Sequence, residues 1–91
     1  MLWHTKFIER RLQIMKEKIL EILNDLNPDI DYETETALVD DDLLDSFDLV
    51  SLVSELNDSF DINITVVDFV PENFNSLSAL TALVERLSNG N

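Results

Sequence analysis

One serine near the middle of the chain stands between aspartates, in the tetrapeptide Asp45-Ser46-Phe47-Asp48. A hydroxyl in this setting could attack a substrate, cap a helix or carry a covalently attached group. Attack needs a base that takes the hydroxyl proton. The single histidine is the distant His4, and carboxylates that are ionised at neutral pH are weak bases. The chain also lacks a G-x-S-x-G turn, so the sequence predicts no catalytic residue.

The aspartates beside Ser46 fit the start of a helix. Asp45 is a favourable N-cap residue, and Asp48, three positions later, can complete a capping box. Ser46 is then the first helical residue, so it is not needed as a cap and its hydroxyl projects outward. A phosphate there would meet free backbone N–H groups and the positive end of the helix dipole. Because the flanking carboxylates oppose an anion, an enzyme would have to attach it.

An acidic stretch before the serine has spacings similar to those of a calcium-binding loop, with Asp29, Asp31, Glu33 and Asp40 as candidate ligands. The position that requires glycine for the sharp turn of such a loop is Thr34. Acidic runs in connections are more often solvated charge, so we predict no metal site. The absence of cysteine excludes disulfides and thiolate metal sites.

Apolar residues at three- and four-residue spacing predict three substantial helices around one core. Pro28 ends the first helix. The second helix is predicted from about Asp45 to Phe60. The last helix is predicted to begin after Asn75 or Ser76 as its cap. The core stripes are Leu12, Met15, Ile19, Ile22, Leu23 and Leu26 in the first helix, Leu49, Leu52, Val53, Leu56 and Phe60 in the second, and Leu77, Leu80, Leu83, Val84 and Leu87 in the last.

Two less regular segments join these helices. Residues 28–44 form a long acidic connection with scattered apolar residues that could pin it to the core. Residues 62–74 mix β-branched residues with a proline and predict a short helix or turn, because a lone strand would have nothing to pair with. The prediction is an all-α four-helix bundle, with three main helices and one short helix. The apolar residues of the long connection are Ile30, Tyr32, Leu38, Val39, Leu43 and Leu44.

Residues 1–14 form an N-terminal extension, which we expect to be helical, of a domain predicted over residues 15–88. Leu2, Trp3, Phe7 and Ile8 continue the apolar pattern of the first helix. They could lengthen that helix or pack as a separate segment. Trp3 and Phe7 could also mediate self-association. We expect a monomer, although the sequence leaves the oligomeric state open.

The chain is strongly acidic, with 19 acidic and 6 basic residues among 91 and a net charge of −13. No lysine or arginine occurs between Ile19 and Glu85. This surface should repel nucleic-acid phosphates and anionic membranes and attract basic partner proteins, although solubility alone would also explain it. No apolar run is long enough to span a bilayer, and no signal-peptide pattern is present. We expect a cytoplasmic protein without membrane insertion.

The sequence around the serine, DDDLLDSFDLVSLVSELNDSFDINI at residues 40–64, resembles the signature of acyl carrier proteins, including the peptidyl and D-alanyl carriers. The segment PENFNSLSALTALVERL at residues 71–87 is similar to the final helix of carriers of the amino-acid type. The resemblance runs from Met15 to about Leu87. It implies a four-helix bundle of the acyl-carrier type, in which Ser46 carries covalent 4′-phosphopantetheine derived from coenzyme A. The arm would hold an acyl or aminoacyl cargo as a thioester.

The same resemblance implies the partners of the chain. These are a phosphopantetheinyl transferase, an acyl- or aminoacyl-loading ligase and acyl-processing enzymes with basic surfaces. They would recognise the exposed face of the second helix. Phe47 points away from the core on a helical wheel, so it would either contact a partner or be covered by the long connection. The residues implied in recognition are Asp45, Phe47, Asp48, Val50, Ser51, Ser54, Glu55 and Asp58.

Three departures from fatty-acid carriers favour a specialised carrier with a dedicated adenylating enzyme. Phe47 follows the serine where leucine or methionine is usual. Ser51, Ser54 and Asn57 occupy much of a helix face that is more acidic in fatty-acid carriers. The segment after Ile64 lacks their acidic short helix. The sequence does not identify the cargo or the pathway. The alternative function is an acidic interaction module that binds a basic partner without a prosthetic group.

Overall fold

The chain folds as a bundle of α-helices with two long connections. The computed structural model describes the backbone of residues 2–89 and the side chains from residue 9 onward. Within residues 2–89 it has α1 (Leu2–Leu26), α2 (Ser46–Phe60), a 3₁₀ helix (Val66–Asp68), α3 (Pro71–Phe74) and α4 (Leu77–Ser88), and no strand. The all-α prediction is confirmed. The segment predicted as a short helix or turn contains both the 3₁₀ helix and α3.

The first helix is longer than its core stripe requires. α1 continues without a break through residues 14 and 15, so the N-terminal residues lengthen the helix rather than form a separate segment. The side chains of Trp3 and Phe7 lie outside the described residues. Farther along, α1 buries Met15, Ile19, Ile22 and Leu23 and packs against α2 and α4. No helix within residues 2–89 has the length and apolar character needed to cross a bilayer.

The other two long helices close the core. α2 buries Leu49, Leu52 and Leu56, and it ends where Asp61 adopts the left-handed conformation, with φ of 52°. α4 begins with Ser76 as its cap, since the Ser76 hydroxyl accepts a hydrogen bond from the Ala79 N–H at 3.0 Å. Of the two predicted caps, Ser76 is therefore the right one. The residues that α4 buries are Leu77, Leu80, Thr81, Leu83 and Val84.

Asn75, the other candidate cap, fastens the long acidic connection instead. Its Oδ1 accepts hydrogen bonds from the N–H groups of Val39 at 3.0 Å and Asp40 at 3.1 Å. Its backbone carbonyl accepts from the Leu38 N–H at 2.9 Å, and its Nδ2 donates to the Asp40 carboxylate at 3.1 Å. The expected apolar pins also reach the core. Tyr32, Leu38 and Leu44 are buried, and Ile30, Val39 and Leu43 are partly buried.

Candidate functional site

Ser46 is the first residue of α2, and Asp45 is the N-cap. The Asp45 carboxylate accepts a hydrogen bond from the Asp48 N–H at 2.8 Å, and the Asp48 carboxylate accepts from the Asp45 N–H at 3.4 Å. This is the predicted capping box, and the Ser46 side chain takes no part in its hydrogen bonds. The serine is exposed. Its hydroxyl takes no part in the hydrogen bonds between described residues, so it is accessible for covalent attachment.

The turn that leads into Ser46 is anchored by a buried leucine at each end. The N–H groups of Leu43 and Leu44 both donate to the Leu38 carbonyl, at 3.0 and 3.1 Å. Leu38 and Leu44 are buried, with exposed fractions of 0% and 2%. Between them Asp42 adopts the left-handed conformation, with φ of 56°. Because two buried leucines fix the turn, the start of α2 is held against the bundle while the serine faces solvent.

Tyr32 joins the end of α1 to this region. Its hydroxyl lies 2.8 Å from the Asn27 carbonyl and 3.1 Å from the Leu23 carbonyl, and the Leu23 carbonyl also accepts from the Asn27 N–H at 2.9 Å. Burial of the ring, and to a smaller extent the negative charge of Asp48, raise the pKa of the Tyr32 phenol to about 12. Tyr32 is therefore a neutral donor at physiological pH. The sequence predicted Tyr32 only as an apolar residue that could hold the long connection to the core.

The residues predicted to recognise partners form three groups. Phe47 and Val50 are exposed by 78% and 67%, so of the two alternatives for Phe47 the uncovered one is observed. Asp45 and Asp48 are engaged in the capping box, and Asp48 and Ser51 are only partly exposed. The freely exposed polar members are Ser54, Glu55 and Asp58.

Asn57 was expected on the open face of α2, and that expectation is wrong. The residue is partly buried, and its Oδ1 accepts a hydrogen bond from the Ile64 N–H at 2.9 Å. Its backbone carbonyl accepts from the Ile62 N–H at 3.2 Å. At 100° per residue, Asn57 lies about 40° from Val53 on the wheel. It therefore faces the segment that follows α2 and fastens that segment to the helix.

An apolar groove lies between α2 and this following segment. The sequence analysis did not predict this groove, because it assigned residues 62–74 a secondary structure but no function. Valines that continue no helical stripe and lie beside a turn were the available signal. The groove has a volume of about 240 Å³, and its lining residues are Val50, Val53, Ile64, Thr65, Val66 and Phe69.

The acids suggested as calcium ligands do not converge. Asp31 accepts a hydrogen bond from the Glu33 N–H at 3.3 Å, and Asp40 is bound to Asn75. Among the residues that the structure describes, no group of three or more histidine, aspartate or glutamate side chains is arranged to hold a metal ion.

Comparison with known proteins identifies the class to which this fold and exposed serine belong. A family model described as "Phosphopantetheine attachment site" matches residues 13–84, a range that contains all of α2. The D-alanyl carrier protein of Lactobacillus acidophilus is 33% identical over 75 residues, which cover 81% of this chain and 95% of that relative. The D-alanyl carrier protein of Lactobacillus helveticus is 32% identical over the same shares.

These matches define a carrier protein. The chain belongs to the phosphopantetheine-binding carrier family, and the two relatives named above are D-alanyl carrier proteins. It holds its cargo on covalently attached 4′-phosphopantetheine. The site fits this group, because a hydroxyl at the first position of a capped helix stands clear of the core and of the capping hydrogen bonds. The first twelve residues precede the matched range.

Proposed function

We propose that Ser46 is the attachment residue and that this chain carries an aminoacyl group between partner enzymes. The supporting observation is the exposed Ser46 hydroxyl at the start of α2, inside the range matched by the family model. In the attachment step the Ser46 oxygen displaces adenosine 3′,5′-bisphosphate from coenzyme A and forms a phosphodiester. The serine proton passes to a base of the transferase, because among the residues that the structure describes no basic group is hydrogen-bonded to Ser46.

The attached arm ends in a thiol that holds the cargo as a thioester. The protein's own residues position the arm: Asp45 and Asp48 fix the helix start, and Leu38 and Leu44 fix the turn before it. D-alanine is the cargo that we propose, since the relatives are named D-alanyl carrier proteins. Loading then requires an adenylating ligase, and the carrier itself performs no catalysis.

Partner enzymes are proposed to approach the face of α2 that begins at Ser46. The recognition set is Asp45, Phe47, Asp48, Val50, Ser51, Ser54, Glu55 and Asp58. Basic enzyme surfaces are favoured by the net charge of −13 and by the exposure of Glu55 and Asp58. Because the arm is supplied by coenzyme A, a cytoplasmic metabolite, we place the attachment reaction in the cytoplasm.

Intact-protein mass spectrometry tests the attachment. The apo protein is incubated with coenzyme A, Mg²⁺ and a broad-specificity phosphopantetheinyl transferase. We expect one phosphopantetheine on the wild type, none on Ser46→Ala, and one on Ser54→Ala, which removes another exposed hydroxyl from the same helix. Equal modification of Ser46→Ala would refute the assignment of Ser46. A wild type that stays unmodified would favour the acidic interaction module.

A further inference from the structure

The groove beside Ser46 is placed where an incoming enzyme must cover it. Ser46 and Val50 are one helical turn apart, so their side chains are neighbours on the surface of α2. Val50 lines the groove, and Val66 forms its opposite wall. Phe47 stands beside this pair at the helix start, exposed by 78%. The serine and the groove therefore open onto one continuous surface.

The outer wall of the groove is rigidly held. The Asp68 carboxylate accepts hydrogen bonds from the Thr65 N–H at 3.1 Å and from the Thr65 hydroxyl at 3.3 Å, which closes the 3₁₀ turn. The ring of Phe69 packs edge-on against Phe74, with centroids 5.2 Å apart, and Phe74 is buried. Val66 remains 90% exposed on this braced turn. A preformed surface loses little conformational entropy when a partner binds.

The groove is too open to enclose a cargo. Pockets for small ligands bury most of the ligand surface, whereas Val66 and Val50, on the two walls, are exposed by 90% and 67%. None of the six lining residues is charged, although the chain carries a net charge of −13. A contiguous apolar patch on such a surface marks a site of protein contact.

The partner follows from the attachment reaction, so this step depends on the proposed role of Ser46. The transferase must bring coenzyme A to the Ser46 oxygen, and its surface then lies over the groove one turn away. We propose that the groove receives an apolar side chain of the phosphopantetheinyl transferase. Asp58, exposed on a later turn of α2 and about 80° from Val50 on the helical wheel, adds negative charge beside the groove that can meet cations of the enzyme. An apolar centre with a charged rim is the usual anatomy of a protein interface.

Two adjacent valines provide the test. Val66 lines the groove, and Val67, also on the 3₁₀ helix and exposed by 84%, does not. The apo variants Val66→Asn and Val67→Asn are compared as substrates of the transferase with coenzyme A and Mg²⁺. Loss of one well-packed interface side chain costs about tenfold in affinity. We expect the KM of Val66→Asn to rise about tenfold at unchanged kcat, and that of Val67→Asn to stay within about twofold of the wild type.

A second variant and two controls complete the experiment. Val50→Asn should raise KM in the same direction as Val66→Asn. Because all three valines are exposed, their substitution should leave the melting temperature unchanged, which separates lost contact from lost folding. The ratio of KM between Val66→Asn and wild type should persist at high salt, where rim charges are screened.

Equal KM values for Val66→Asn and Val67→Asn would overturn the groove proposal while leaving Ser46 as the attachment residue. A ratio that vanishes at high salt would assign recognition to charge and overturn it as well. If the wild type accepts no arm at all, the proposed function itself fails, and intact mass shows this before any variant is compared.

Discussion

The two connections of this bundle differ in how much apolar surface they expose, although Ile64 and Phe74 of the second are buried. Between α1 and α2, the connection turns Tyr32, Leu38 and Leu44 inward, with exposed fractions of 2%, 0% and 2%. After α2, the 3₁₀ helix turns Val66 and Val67 outward, with exposed fractions of 90% and 84%. The first connection is the more acidic, yet it contributes more to the core. Its charges remain in water while its sparse apolar residues act as anchors.

The two connections therefore have different roles near Ser46. The first connection fixes the position of Ser46, because its buried leucines hold the turn that leads into α2. The second connection presents a surface, because the side-chain oxygens of Asn57 and Asp68 accept backbone hydrogen bonds that hold an exposed apolar turn in place. Substitutions in the first should therefore alter stability, and substitutions in the second should alter recognition.

The largest expected effect is that of Leu38→Ala. Removing a fully buried leucine costs the transfer free energy of the lost atoms and leaves a cavity, and typically lowers the free energy of unfolding by about 2–5 kcal/mol. Val67→Ala, in the other connection, should change it by less than about 0.5 kcal/mol. Urea unfolding followed by circular dichroism measures both. Similar losses for the two variants would remove the distinction between the connections.

A smaller effect is expected for Asn75→Ala. The substitution takes away the acceptor of the Val39 and Asp40 N–H groups and should cost about 1–2 kcal/mol. The cost is moderate because the exposed Asp40 N–H can form a hydrogen bond with water instead. Asn63→Ala is the matched control, since Asn63 is an exposed asparagine of the second connection and should lose almost nothing. An Asn75→Ala protein as stable as the wild type would show that the buried leucines alone hold the acidic connection.

The smallest effect is that of Tyr32→Phe, and it depends on pH. Loss of the hydroxyl bonds to Leu23 and Asn27 should cost about 1 kcal/mol at neutral pH. The pKa of Tyr32 is raised from 10.0 to about 12, so folding favours the neutral phenol. This contribution is fully present below the unfolded pKa of 10.0 and is lost as pH rises toward about 12. The stability advantage of wild type over Tyr32→Phe should therefore fall as pH rises above 10.0, and Tyr32→Phe should become the more stable protein before pH reaches about 12.

Ultraviolet absorbance checks the pKa directly, because Tyr32 is the only tyrosine. The phenolate should form at a higher pH in the folded protein than in the protein unfolded in urea. If the two titrations coincide, the phenol is not buried as the structure describes.

Apolar periodicity was sufficient to predict a helix wherever a segment has one dominant apolar face. The stripe from Leu49 to Phe60 predicted α2, and the spacing of Asp45 and Asp48 predicted its capping box, because both depend on residues a few positions apart. The same reasoning failed for Asn57 and left the role of Asn75 undecided. Both asparagines bond to backbone groups of other segments, and no local pattern records which segment will lie beside them.

The sequence by itself determined the helical class, the start of α2 and an outward-facing Ser46, since helix propensity, capping and apolar spacing are local properties. It also carried the carrier resemblance, which the comparisons confirmed. Only the tertiary structure decided which side of α2 the following connection covers, which asparagine fastens which connection, and that Val66 and Phe69 form a groove with Val50. Those outcomes depend on contacts between segments distant in the chain, where packing chooses among side chains that the local pattern leaves equivalent.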